Sequence, residues 1–137
     1  MAHGFQTLQT PQALQPAVVA ALRAARKGNP EGWSRRVGQA VGVGDCGKAV
    51  VRRAKAFGMS ILGNDIVEMP TEFISQSGIE MVSLEQLLAA ADFVTLNPDL
   101  NPTSHHLIGK PQLTLMRPGA CLINASRGPV VDEPALI

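Results

Sequence analysis

Three glycines in residues 41–50 have the spacing of a phosphate-binding turn. Gly42, Gly44 and Gly47 follow the pattern G-x-G-x-x-G between an apolar segment and a helical one. In such a turn the first glycine permits a tight bend, the second lets the backbone approach a pyrophosphate, and the third lets the helix pack closely on the strand. The N-terminus of the helix adds unpaired N–H groups and the positive end of a dipole. The pattern alone fits a plain strand–turn–helix connection equally well.

An acidic residue stands where a dinucleotide site would need one. Asp65 ends a predicted second strand and follows Gly47 by 18 residues. A carboxylate about 20 residues beyond the turn accepts hydrogen bonds from the ribose hydroxyls of adenosine. The same charge repels the 2′-phosphate of NADP, so Asp65 favours NAD. The alternative is that Asp65 only caps the turn that follows it.

Other polar side chains follow the fourth and fifth predicted strands, at Asn97 and at residues 124–127. Ligands of a doubly wound sheet bind outside the carboxyl ends of its strands. Arg127 could bind a carboxylate through two hydrogen bonds and polarise an adjacent carbonyl, although a surface salt bridge would explain its position as well. His105 and His106 are interpreted as loop residues, because adjacent residues do not share a face and no acid stands at an obvious spacing.

Alternating strands and helices must position these groups. Strands are predicted at residues 35–43, 59–65, 78–82, 92–97 and 120–124, and helices at 48–57, 71–76, from 84 onwards and up to 116. This alternation favours an α/β fold, a parallel doubly wound sheet with flanking helices. Gly58 is predicted to end the first of these helices, and Ser83 with Gln86 to form a capping box. Gln39 is a flaw in the first strand, since buried parallel strands are normally apolar.

We divide the chain into two parts. Residues 1–34 form an N-terminal extension, in which residues 1–15 are polar and expected to be poorly ordered, and residues 16–27 are predicted as a helix with Pro16 near its start. Residues 35–137 form the dinucleotide-binding domain. A chain of 137 residues suffices for one domain with one hydrophobic core.

Composition excludes several classes of function. The net charge of +1 gives no electrostatic case for nucleic acid. Up to Lys55 the sequence has nine Lys and Arg residues but only two acidic ones. We interpret this excess of positive charge as solvated helix surfaces rather than as a binding site for an anionic partner. Two cysteines, Cys46 and Cys121, match neither a metal motif nor a disulfide framework, so a reducing compartment is expected. No apolar run is long enough for a membrane span and no signal peptide is apparent, which indicates a cytoplasmic protein.

Three motifs resemble the NAD-binding domain of the D-isomer-specific 2-hydroxyacid dehydrogenases. They are the glycine turn continuing into RAKAFG at 53–58, ADFVTLN at 91–97 with NPTSHHLI at 101–108, and RPG at 117–119 with INASRGPVVDE at 123–133. The resemblance spans most of residues 42–137. It implies a Rossmann-like fold and hydride transfer between NAD and a small 2-hydroxy or 2-oxo acid.

The resemblance also implies roles for single residues. Arg127 matches the family's catalytic arginine, which holds the substrate's carboxylate and carbonyl. Asp65 matches the ribose acid, while Asp45 and Cys46 match the pair whose backbone meets the pyrophosphate. Positions that line the nicotinamide half are matched by Asn97, Pro98, Ala125 and Ser126. The family forms homodimers through this domain, so a homodimer is expected here.

The sequence departs from the family at several points. Asp45 replaces a basic or neutral residue and would repel the pyrophosphate, and Asp99 stands where proline is usual. The family's catalytic glutamate and histidine lie beyond Ile137, so we expect the last strands of the sheet to be missing and catalysis by this chain to be slow or absent. A non-catalytic NAD-binding module, like the family's transcriptional corepressors, is the alternative. A methyltransferase has a similar glycine turn, but residues 124–132 disfavour it.

Overall fold

The computed structural model describes residues 37–137, which form a five-stranded sheet in which all neighbouring strands are parallel. The strands are β1 (Val37–Val41), β2 (Ser60–Asn64), β3 (Glu80–Met81), β4 (Phe93–Leu96) and β5 (Cys121–Asn124). The helices are α1 (Asp45–Ala56), α2 (Thr71–Ser77), α3 (Leu84–Ala90) and α4 (Lys110–Leu115), followed by short 3-10 turns at Gly128–Val130 and Glu133–Leu136. The helix predicted at residues 16–27 and the boundary between residues 34 and 35 lie outside the described residues.

The strand order β3-β2-β1-β4-β5 puts β1 at the centre of the sheet. The chain moves outwards from β1 to β3, and then crosses back to place β4 on the other side of β1. This is the predicted doubly wound, Rossmann-like arrangement, which is confirmed. The order reverses between β1 and β4, and ligands of such sheets bind at the carboxyl ends of the strands next to that point.

The strand register brings four strand ends into one row. Val41 of β1 pairs with Asn64 of β2 and with Leu96 of β4. Leu96 in turn pairs with Asn124 of β5. The loops after these four strands therefore start side by side along the carboxyl edge of the sheet. β1 also continues through Gln39, so the polar residue does not interrupt the strand.

Two hydrophobic clusters hold the helices to the sheet. The first packs α3 against β1 and β4 and includes Val41, Leu87, Leu88, Val94 and Leu96. The second packs α1 and α2 against β2 and includes Val43, Val51, Ile61, Phe73 and Ile79. Apolar residues alone could fill either cluster, because each lies between a helix layer and the pleated surface of the sheet.

Local signals in the sequence set the helix ends as predicted. Gly58 has φ 73° and donates its N–H to the carbonyl of Lys55 at 2.8 Å, directly after α1. At the start of α3, the Gln86 N–H donates to Ser83 Oγ at 3.2 Å and the Ser83 N–H donates to Gln86 Oε1 at 3.0 Å. Both halves of the capping box are therefore present, and they satisfy backbone donors that the helix itself leaves unpaired.

The outer strands differ from expectation. Gly78, predicted to begin the third strand, has φ 70° and caps the end of α2, so β3 keeps only two residues. Within residues 37–137, β5 pairs with β4 alone, and Cys121, Leu122 and Ile123 stay partly exposed although their sequence is that of a covered strand. No helix in the described part of the chain is both long and apolar enough to cross a membrane.

Candidate active site

The turn between β1 and α1 depends on Gly42 for two reasons. Gly42 has φ 81°, which favours glycine, and its N–H donates to the carbonyl of Asn64 at 2.8 Å. A Cβ atom at this position would lie 2.6 Å from the nitrogen of Pro98 and 2.9 Å from the carbonyl carbon of Asn97. The loop after β4 therefore passes directly against the turn. The sequence indicates the bend, whereas only the structure reveals this second contact.

Gly47 and Gly44 serve opposite purposes. A Cβ atom at Gly47 would lie 2.2 Å from the carbonyl oxygen of Gly42, so any side chain there would push α1 away from the turn. A Cβ atom at Gly44 would meet no protein atom within 4 Å, and Gly44 is exposed. One glycine thus allows the helix to pack closely, and the other leaves an open backbone surface. Such a surface admits a phosphate group to the main chain.

The first turn of α1 presents backbone donors to this open surface. The first helical hydrogen bond runs from the Lys48 N–H to the carbonyl of Gly44, at 2.8 Å. Among the described residues, no acceptor is bonded to the N–H groups of Gly44, Asp45, Cys46 or Gly47. Four free donors at the positive end of a 12-residue helix suit a pyrophosphate. The exposed carboxylate of Asp45, in the first turn of α1, opposes the binding of an anion there.

Asp65 lies against the glycine turn and is held by two backbone groups. Its Oδ2 accepts a hydrogen bond from the Val43 N–H at 2.6 Å, across 22 residues of sequence. Its Oδ1 accepts from the Val67 N–H at 3.0 Å, which makes a local turn after β2. The turn-capping alternative is therefore present, and the bond to Val43 comes in addition. That bond was not predicted from the sequence, because it depends on the pairing of β1 with β2.

The loops after β4 and β5 form one continuous surface beside Gly42. The Asn97 N–H donates to the carbonyl of Val41 at 2.7 Å, and the Ala125 N–H donates to the carbonyl of Leu96 at 2.9 Å. Ser126 Oγ donates to the carbonyl of Pro98, tying the two loops together. These two loops carry the four residues that the family resemblance implies for the nicotinamide half, and they lie together next to the glycine turn.

Asn124 shapes the backbone that carries Arg127. Asn124 is only 7% exposed, and both polar atoms of its side chain are hydrogen-bonded. Its Nδ2 donates to the carbonyl of Arg127 at 2.8 Å, and its Oδ1 accepts from the Ser126 N–H at 3.0 Å. From the sequence, Asn124 is predicted only as a polar residue at the end of the fifth strand. One signal in the sequence could have indicated these two hydrogen bonds: an amide residue at the end of a strand, three positions before an arginine.

The guanidinium of Arg127 is exposed and available to a ligand. Its Nη1 donates to the carbonyl of Ser126 at 3.1 Å, within its own turn. No carboxylate of the described residues forms a salt bridge with it; the ion pair found there joins Arg117 to Asp92, at 3.2 Å. The surface salt bridge considered as an alternative for Arg127 is thus not formed within the described part of the chain. A planar guanidinium in this state can bind a carboxylate through two hydrogen bonds.

The two adjacent histidines differ from expectation. The rings of His105 and His106 stack, with centroids 3.9 Å apart and planes inclined by 20°. The expectation that they do not share a face is wrong, because His106 adopts φ 52° and turns its side chain back. The His106 N–H donates to the carbonyl of Pro129 at 2.8 Å, which ties this loop to the segment after Arg127. Both rings are exposed, and no described carboxylate is bonded to either.

The cysteines play no visible part in metal binding. Cys46 is exposed in the first turn of α1, and Cys121 is half-buried in β5, where burial raises the pKa of its thiol. Residues 37–137 contain no group of three or more His, Cys, Asp or Glu side chains that could hold a metal ion.

The sequence of this chain is similar to a family profile and to proteins named as dehydrogenases or reductases. Residues 20–137 match the sequence profile described as D-isomer specific 2-hydroxyacid dehydrogenase, NAD binding domain. A D-3-phosphoglycerate dehydrogenase from Methanocaldococcus jannaschii is 43% identical over 97 residues, which cover 70% of this chain and 18% of the relative. A glyoxylate reductase from Korarchaeum cryptofilum is 48% identical over 96 residues, which cover 70% of this chain and 29% of the relative.

A solved structure supports the same grouping. The D-lactate dehydrogenase from Aquifex aeolicus, complexed with NAD and lactic acid, superposes with a TM-score of 0.71 at 34% identity. The match covers 76% of this chain and 31% of that enzyme. This chain therefore spans less than a third of the length of each of these three relatives.

Proposed function

Because the chain belongs to the D-isomer specific 2-hydroxyacid dehydrogenase family and matches its NAD-binding domain, we propose that it supplies the NAD-binding half of a dehydrogenase for 2-hydroxy and 2-oxo acids. One observation carries this proposal. The carboxyl edge of the sheet brings the open turn at Gly44 to the same row of strand ends as the loop of Arg127, whose guanidinium forms no salt bridge within residues 37–137. A cofactor and a carboxylate substrate can meet there.

The residues of the turn fit NAD. Its pyrophosphate would lie over Gly44 and accept hydrogen bonds from the N–H groups of Asp45, Cys46 and Gly47. The carboxylate of Asp65 would accept bonds from the adenosine ribose and disfavour the 2′-phosphate of NADP. Asn97, Pro98, Ala125 and Ser126 would line the nicotinamide half. When bound, NAD supplies the group that accepts or donates the hydride.

Arg127 would bind and activate the substrate. Its guanidinium can hold the carboxylate of a 2-oxo acid through two hydrogen bonds and polarise the adjacent carbonyl. The same charge stabilises the oxygen that becomes negative as the carbonyl is reduced. A general acid must then protonate this oxygen, and such help is worth about 10²–10⁴-fold in rate. The stacked rings of His105 and His106 have no bonded carboxylate within residues 37–137, so neither is set up for this task.

Because neither His105 nor His106 is bonded to a carboxylate within residues 37–137, a second candidate is a non-catalytic NAD-binding module of the corepressor type. For either candidate we propose residues 35–137 as the domain, a homodimer as the assembly and the cytoplasm as the location. The half-exposed edge strand β5 supports association, since unpaired strand edges tend to pair. The two free cysteines support a reducing compartment.

The decisive experiment measures binding and turnover on the same chain. Calorimetric titration with NAD tests the cofactor site, and the decay of NADH absorbance with glyoxylate, hydroxypyruvate or pyruvate tests catalysis. We expect NAD binding with turnover that is very slow or absent, and Arg127→Ala should remove any turnover while leaving NAD affinity within about twofold. Absence of NAD binding would refute the proposal. Rates typical of dehydrogenases would refute the non-catalytic module and make His105 and His106 the next residues to substitute.

A further inference from the structure

We propose that Asp65 is a positioning residue for the phosphate-binding turn, in addition to being a ligand of the ribose. This inference rests on the proposed function, because the turn matters only if NAD binds there. The carboxylate of Asp65 fixes the backbone of Val43, the residue directly before Gly44, through the 2.6 Å bond from the Val43 N–H. Asp65 thus acts on the pyrophosphate through the main chain as well as on the ribose directly.

The Val43 N–H depends on Asp65 for its only hydrogen-bond partner among the described residues. Val43 is 0% exposed while Asp65 is in place, so the carboxylate takes the position that water would otherwise occupy at this N–H. A hydrogen bond from an N–H to an ionised carboxylate is among the strong ones in proteins, and a buried donor left without a partner is destabilising. Loss of the carboxylate should therefore let Val43 move in search of another acceptor, and Gly44 would move with it.

The second oxygen fixes the direction in which the carboxylate points. Oδ1 accepts from the Val67 N–H at 3.0 Å, so the group is held at both oxygens before any ligand arrives. Each carboxylate oxygen can accept two hydrogen bonds. Within residues 37–137 each oxygen accepts one bond, so one acceptor site on each remains for the ribose hydroxyls. The positioning role and the ribose role do not compete for the same lone pairs.

For a ligand without ribose hydroxyls, the two roles predict opposite changes in affinity when Asp65 is replaced. If Asp65 only binds ribose, removing its charge should leave such a ligand unaffected or bind it more tightly, because a negative charge near the pyrophosphate disappears. If Asp65 also positions the turn, the same removal should weaken binding although no ribose bond is lost. This difference in sign separates the inference from electrostatics.

The probe is an NAD analogue that lacks both hydroxyls on the adenosine ribose, compared with NAD itself by calorimetric titration. Asp65→Ala removes both acceptors, and Asp65→Asn keeps a single acceptor oxygen for two N–H groups. Glu68→Gln is the matched control, because it removes the same charge from an exposed residue of the same loop. We expect Asp65→Ala to weaken the analogue about tenfold or more. Asp65→Asn should have an intermediate effect and Glu68→Gln almost none.

An NMR signal reports the proposed bond without any ligand. The amide proton of Val43 should resonate far downfield in the unsubstituted chain and move upfield in Asp65→Ala, while thermal unfolding shows that the variant remains folded. NAD binding combined with unchanged or tighter binding of the analogue in both Asp65 variants would overturn this inference alone. The inference would also be overturned if the unsubstituted chain bound NAD but not the analogue, because all of the affinity would then depend on the ribose hydroxyls. Failure of the unsubstituted chain to bind NAD would overturn the proposed function itself, and this inference with it.

Discussion

Replacing Gly44 by alanine should weaken cofactor binding strongly without disturbing the fold. Gly44 has φ −69° and ψ −160°, a conformation that alanine adopts without strain, and a Cβ atom would meet no protein atom within 4 Å. Alanine is a poorer N-cap than glycine by about 0.5–1 kcal/mol. A less flexible unfolded chain offsets this by about 0.4–1 kcal/mol. The free energy of unfolding should therefore change by less than about 1 kcal/mol.

The effect on NAD should be much larger. The new methyl group would occupy the open side of the turn, where the pyrophosphate needs to approach the backbone. One additional methyl-sized group at a binding surface costs about 1–3 kcal/mol, so NAD affinity should fall by roughly 10–200-fold. Calorimetric titration measures the affinity, and thermal unfolding measures the stability of the same sample.

Two other glycines provide matched controls. Gly58→Ala places a side chain at φ 73° in open space, so it should lower stability by about 1–2 kcal/mol and leave NAD affinity unchanged. Gly47→Ala forces a Cβ atom to within 2.2 Å of the Gly42 carbonyl oxygen, and it should unfold or severely destabilise the domain. Undiminished NAD affinity in a folded Gly44→Ala variant would refute the placement of the pyrophosphate.

Three further predictions concern single groups and assembly. Asp45→Asn should tighten NAD binding about twofold to fivefold in titrations, because an exposed like charge near the pyrophosphate is removed; unchanged affinity would count against the repulsion. Cys46 should be alkylated faster than Cys121 in the folded chain, because burial raises the pKa of Cys121 and leaves less thiolate at a given pH. Mass spectrometry of a time course measures both rates, and equal rates would contradict this. Light scattering should find a homodimer, and a stable monomer at high concentration would exclude it.

The central part of the fold could be predicted from the sequence because its signals are local. The glycine spacing sets the β1–α1 turn, Gly58 ends α1, and Ser83 with Gln86 caps α3 through bonds only three residues apart. Each of these signals acts within one turn of chain, so no knowledge of the tertiary structure is needed. The alternation of such segments then restricts the sheet to the parallel, doubly wound class.

The remaining features depend on contacts between distant segments. Asp65 reaches Val43 only because β1 and β2 pair in one particular register. Asn124 supports Arg127 only because the strand ends and the backbone curls back at that point. β3 is short because Gly78 is taken up by the cap of α2, and among the described strands only β2 pairs with it, so a five-residue pattern gave a two-residue strand. Residue types therefore indicated where chemistry could occur, but the hydrogen bonds that position these side chains depend on how the strands pair.

The most direct test of the account is to map the NAD site by amide chemical shifts during an NMR titration. We predict that the largest changes fall on Gly44, Asp45, Cys46 and Gly47, with further changes at Asn97, Ala125 and Ser126 on the same edge of the sheet. The amide signals of Gly78 and Gly119 should not shift, because these residues precede β3 and β5 at the amino ends of the strands, on the opposite edge of the sheet. Changes centred on that opposite edge, or no changes at all at saturating NAD, would contradict the placement of the cofactor at the glycine turn.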